Sequence, residues 1–114
     1  MRTLRFLIAD GFVDFLDMME QVVRRHGHEV LAAPTETGAI EGSTLFGPEV
    51  VLFDPAIMSD VPRFVAELRS RIPAGARIIA LVLDGELDEK LVDATLRKPF
   101  KVADLFALLE RWFD

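Results

Sequence analysis

Two aspartates and one lysine are the residues whose types and positions suit chemistry. Asp10 closes the apolar run FLIAD, Asp54 closes the apolar run VVLFD, and Lys98 follows a third short run just ahead of a proline. Carboxylate oxygens are hard ligands that suit Mg²⁺, and a carboxylate is a usable nucleophile once a nearby cation offsets its repulsion with an anionic substrate. A lysine ammonium offers a point charge to the same anion. The three lie far apart in sequence, so the fold has to bring them together.

The elements that would do this are legible in the apolar pattern. Residues 4–9, 30–33, 50–53, 78–83 and 94–97 read as strands, and the first, third and fourth are almost continuously apolar. Such runs belong to a parallel sheet covered on both faces. Phe12, Phe15, Leu16, Met19, Val22 and Val23 recur at helical spacing and end in Arg24, Arg25, His26 and Gly27, a helix C-terminus with its cap. Val61, Phe64, Val65, Leu68 and Ile72 form a second stripe, opened by Ser59 or Asp60 as cap with Pro62 in the first turn. Val102, Leu105, Phe106, Leu109, Trp112 and Phe113 form the last. Residues 35–46 are weakly helical because Gly38 and Gly42 interrupt them. Residues 84–93 are barely long enough for a crossover helix.

The expected fold is therefore α/β: a doubly wound, five-stranded parallel sheet of order 2-1-3-4-5, flavodoxin-like, with the fourth helix shortened or missing. In such sheets function collects beyond the carboxyl ends of the strands, at the switch point between strands one and three. Asp10 and Asp54 end those two strands, and Lys98 follows strand five at the same edge.

Composition agrees with one compact domain spanning residues 1–114. The chain has 114 residues, 51% of them hydrophobic, enough for a single core. It has no cysteine, which excludes disulfides and thiolate metal sites and suits a reducing, cytoplasmic setting. Arg5 and Asp10 break the N-terminal apolar stretch, so neither a signal peptide nor a membrane span is expected. A formal charge of −6 with no basic cluster argues against nucleic acid or anionic lipid as partner.

With these residues in view, the chain resembles, over essentially its full length, the receiver domain of two-component response regulators, the family of the chemotaxis regulators. The resemblance rests on LIADGF at the first strand, VVLFD at the third, IIALVL at the fourth and RKPF before the last helix. It implies that Asp54 accepts a phosphoryl group from the phosphohistidine of a histidine kinase. It also implies that Asp10, Asp54 and the backbone carbonyl of Ala56 hold Mg²⁺, that Lys98 contacts the transferred group, and that the Lys98–Pro99 bond is cis.

Several positions depart from the family pattern. The second acid after strand one is Gly11, which removes a metal ligand. The strand-four hydroxyl is replaced by Val82, followed by Leu83, so a charge-assisted hydrogen bond of about 1.5–3 kcal/mol is lost. The strand-five aromatic is Thr95, and the proline four residues past the phosphoacceptor is Met58. The expectation is a degenerate receiver, or pseudo-receiver: bacterial, standing alone, not an enzyme, and passing its effect to another chain through protein contacts.

Plainer readings compete at each position. Asp10 before Gly11 suits a helix cap, Asp54-Pro55 suits a turn, and Lys98 suits a solvated surface. Asp14 reads as a solvated helix carboxylate, Asp60 and Asp84 as caps, and His26 and His28 as surface residues. Leu108, Trp112 and Phe113 belong either to a wide buried stripe or to a partner surface, including a homodimer through the last helix. Two other functions remain in the comparison. One is a working phosphoacceptor in a relay. The other is an enzyme or cofactor protein on a similar fold, an aspartyl phosphatase or a flavin-binding domain. This last fares poorly, because position 56 is alanine and strand one opens no phosphate loop.

Overall fold

The structure is a computed structural model that describes residues 1–83, 85 and 87–113. Five strands, β1 (Arg5–Ala9), β2 (Glu29–Ala33), β3 (Val50–Phe53), β4 (Arg77–Val82) and β5 (Ala94–Arg97), form one parallel sheet of order β2-β1-β3-β4-β5. Four helices cover it: α1 (Val13–Arg25), α2 (Glu36–Phe46), α3 (Val61–Arg69) and α4 (Val102–Phe113).

The period-two alternation of the strands divides the core into two layers. Phe6, Ile8, Leu52, Ile79 and Leu81 face α1 and α4, where they meet Leu16, Met19, Val23, Leu105 and Leu109. Leu7, Val51, Phe53, Ile78 and Ala80 face the other way and meet Ala39, Phe64, Val65 and Leu68. Every residue of β3 is buried, as its unbroken apolar sequence requires.

The weakly helical stretch does form a helix. The Thr35 side chain accepts a hydrogen bond from the Gly38 amide, and Gly47 closes α2 in the left-handed region at φ 63°. Gly42 is needed for close packing: a Cβ there would lie 2.5 Å from Leu31 Cδ2, so α2 rests directly on β2. Of the two candidate caps for α3, Asp60 takes the role by accepting from the Arg63 amide.

Between β4 and β5 the described residues contain one short 3₁₀ turn, Glu89–Leu91, and no α-helix, which agrees with the missing fourth helix. Asp84, read from sequence as a cap, lies outside the described residues. The sheet edge is held there by a side chain instead: the Asp93 carboxylate accepts from the Ile78 amide at 2.8 Å and pairs with Arg69 at 3.4 Å.

One surface expectation, for His28, and one core expectation, for Phe12, are corrected. His28 is buried, with 8% exposure, and its Nδ1 accepts the Leu4 amide at 3.0 Å while its ring lies against Phe6 and Phe106. His26, exposed to solvent, still stacks on Phe106 at 4.0 Å between centroids. Phe12, assigned to the buried stripe of α1, sits at its N-cap and is 64% exposed. Leu108, Trp112 and Phe113 are half-buried against the core, with the Arg77 guanidinium 5.1 Å over the Trp112 ring and that of Arg2 5.8 Å over Phe113.

Candidate functional site

Each of the three site residues lies one step beyond a strand and is held by the continuing ladder. The Asp10 amide donates to Ala33 O of β2, the Asp54 amide to Ala9 O of β1, and the Lys98 amide to Val82 O of β4. Their side chains thus leave the carboxyl edge of the sheet at fixed points and converge. The Lys98–Pro99 peptide is cis, as the resemblance implied.

Lys98 Nζ lies 2.6 Å from Asp10 Oδ2 and 3.1 Å from Asp54 Oδ2. Its third side faces the Phe15 ring, 4.3 Å from the centroid, and Phe15 packs edge-on against Phe100. The remaining carboxylate oxygens are engaged locally. Asp10 Oδ1 accepts from the Phe12 amide at 2.9 Å, and Asp54 Oδ1 accepts from the Ala56 amide at 2.8 Å. The turn reading of Asp54 is thus fulfilled, and the cap reading of Asp10 is not. Asp10 tethers the entry to α1 without capping it, and Asp54 caps the 3₁₀ turn Pro55–Ile57.

Asp10 is fully buried and the Lys98 side chain nearly so. Burial by itself would lower the Lys98 pKa, but the hydrogen bonds and charges of Asp10 and Asp54 outweigh it and raise the ammonium above its ordinary value. The lysine therefore carries its charge throughout the neutral range. The surface-lysine alternative is excluded.

The donor set for a hard divalent cation is present in type, as two carboxylates and the Ala56 carbonyl, but the space between the carboxylates is filled by the Lys98 ammonium. Among the described residues no group of three or more His, Cys, Asp or Glu side chains gathers to hold a metal. Gly11 contributes no side-chain oxygen, and a Cβ at this position would fall 2.9 Å from Ile57 Cγ2. As they stand, these residues do not fit a divalent ion without the lysine moving.

Beside Asp54 a cleft of about 510 Å³ opens, walled by Pro55, Val61, Pro62, Val82, Leu83 and Leu91. Val82 is buried and lines this cleft with methyl groups, which offer no hydrogen-bond donor. Thr95, half-buried on β5, lies 3.4 Å from Glu89 through its hydroxyl and is not joined to the carboxylate cluster. Asp14 is exposed on α1, as expected of a solvated carboxylate.

Phe15 and His28 were not recognised as special from sequence. Phe15 falls in the regular stripe of α1 and carries no mark of the lysine above it. His28 precedes a strand whose apolar pattern gives no hint that the imidazole substitutes for a backbone carbonyl.

No protein-family model matches the chain, and no curated protein matches it. Solved structures do. The chain superposes on a CheY-like response regulator receiver domain protein from Methanospirillum hungatei JF-1 with TM-score 0.84 at 20% identity, covering 96% of this chain and 93% of that one. The receiver domain of a sensor histidine kinase from Pseudomonas aeruginosa PAO1, solved with magnesium in its active site cleft, gives 0.80 at 21% identity, covering 97% and 98%. The response regulator TrrA from Thermotoga maritima, in complex with Mg²⁺ and beryllofluoride, gives 0.82 at 17% identity, covering 97% and 100%. The chain has the receiver-domain fold. Its three-residue cluster stands at the carboxyl edge of the sheet, the edge at which open α/β sheets bind ligands.

Proposed function

We propose that the chain is a receiver-fold signalling module that acts through protein contacts, with a surface held in one state rather than switched by phosphoryl transfer. The observation that carries this reading is the Lys98 ammonium seated between Asp10 and Asp54, within hydrogen-bond distance of both carboxylates and against the face of the Phe15 ring. Val82 supports it, because a group placed on Asp54 would meet methyls and gain no hydrogen bond to pull β4 toward it. Thr95 supports it further, because it offers no aromatic ring to reorient.

The contact surface is best sought at the same edge. Phe12 and Leu83, each 64% exposed, flank the cluster, and Val13 and Met18 extend apolar exposure along α1. A homodimer through Leu108, Trp112 and Phe113 fits less well, since these side chains already pack against the core. The partner on this reading is a histidine kinase or another signalling protein, and the setting is the cytoplasm. Among the described residues no helix is long and apolar enough to cross a membrane.

A second reading has one observation in its favour. The Asp54 side chain is 15% exposed beside an open cleft and remains reachable by a phosphodonor. Incubation with a small acyl phosphate, followed by intact-mass measurement, separates the two. Unmodified protein supports the fixed module, and a phosphate adduct absent from Asp54→Asn supports the phosphoacceptor.

A further inference from the structure

We infer that Lys98 is the resident cation of this site, standing in the place of a divalent metal, and that a metal ion binds only by displacing it. This deepens the proposed reading and rests on it for the view that the site is held in one state.

The geometry is that of a coordination position occupied by an ammonium ion. Lys98 Nζ touches one oxygen from each of Asp10 and Asp54 and closes its remaining side on the Phe15 face. Two carboxylates held this close repel one another unless a positive charge lies between them. A lysine provides that charge without water, without a third acid and without the oxygen-rich shell that Mg²⁺ demands. The shell is correspondingly reduced: position 11 is glycine, and Ile57 Cγ2 stands 2.9 Å from where a side chain there would begin. The backbone sets where the lysine side chain starts, since its own amide is bonded to Val82 O at 2.8 Å. Phe15, itself packed against Phe100 and the core, acts as a positioning residue, because it offers the site a ring face against Lys98 and no ligand atom.

The experiment uses the full chain and Mn²⁺, read by the loss of the free-ion electron paramagnetic signal, with Mg²⁺ as competitor. Lys98→Met is expected to bind Mn²⁺ at least about tenfold more tightly than the wild type, and Phe15→Leu is expected to fall between them. In the wild type, acetylation mapped by mass spectrometry should find Lys98 protected relative to Lys90 and Lys101. The protection should be lost over the concentration range in which the metal binds. Equal affinity in wild type and Lys98→Met, with Lys98 still protected when metal is bound, would overturn the inference. If Lys98→Met does not fold, the wild-type acetylation profile decides alone: protection unaffected by bound metal refutes displacement. A phosphate adduct on Asp54 would sink the fixed-module reading and leave this result untouched.

Discussion

Lys98 Nζ and Asp10 Oδ2 are 2.6 Å apart across 88 residues of sequence, and the aspartate is fully buried. An ion pair in that position is sustained by its geometry and by the hydrogen bonds around it, and removal of one partner strands the other charge. Lys98→Met is therefore expected to lower unfolding free energy by about 3 kcal/mol, whereas Asp54→Asn, whose side chain is partly exposed, costs about 1 kcal/mol. Urea denaturation of the two variants checks the ranking; the reverse order would show that Asp10 is not the lysine's main partner.

Acid should weaken the fold through His28. Its pKa is lowered, first by burial, then by His26 and the N-terminal charge, and its Nδ1 can accept the Leu4 amide only while unprotonated. The unfolded state therefore binds more protons in acid, and stability falls as pH drops below about 6.5. His28→Asn, which keeps an acceptor near the Nδ1 position, is expected to flatten the dependence of unfolding free energy between about pH 7 and 5. An unchanged slope in that variant would assign the titration elsewhere.

Restoring an acid after β1 is expected to fail alone. Gly11→Asp drives a Cβ against Ile57 and should cost about 1–3 kcal/mol. Adding Ile57→Ala opens the space, so the two substitutions should couple favourably in a double-mutant cycle. Strict additivity in thermal denaturation would mean that the clash is relieved by rotation of Ile57.

The sheet edge without a crossover helix depends on Asp93. Asp93→Ala leaves the buried Ile78 amide without its acceptor and removes the partner of Arg69, an expected loss of about 2 kcal/mol. Hydrogen exchange should localise the loosening to β4 and β5; uniform loosening across the sheet would contradict this role.

The sequence made the fold legible because β1, β3 and β4 are nearly unbroken apolar runs and α1, α3 and α4 carry regular stripes, so element type, order and parallel topology follow from pattern alone. Asp10, Asp54 and Lys98 were legible as a cluster for the same reason, since each immediately follows a strand. What pattern does not encode is which side chain faces which across the edge. Phe15 looked like any stripe residue, yet it supports the lysine. His28 looked like a polar residue after a glycine, yet it closes the Leu4 amide inside the core. Gly42, read as a helix breaker, allows α2 to lie on Leu31, which becomes visible only once two distant elements are packed.

The central claim is that the Asp54 site holds one state. The most direct test is a backbone amide NMR titration with Mg²⁺ and then beryllofluoride as a phosphoryl mimic, run on wild type and Asp54→Asn. The account predicts that beryllofluoride adds no shift in either protein beyond the local shifts Mg²⁺ itself causes around Lys98, and that amides of β5 and α4, Thr95 and Leu105 among them, stay in place. Shifts seen only in the wild type, centred on Asp54 and spreading through Val82 and Thr95 into α4, would contradict it.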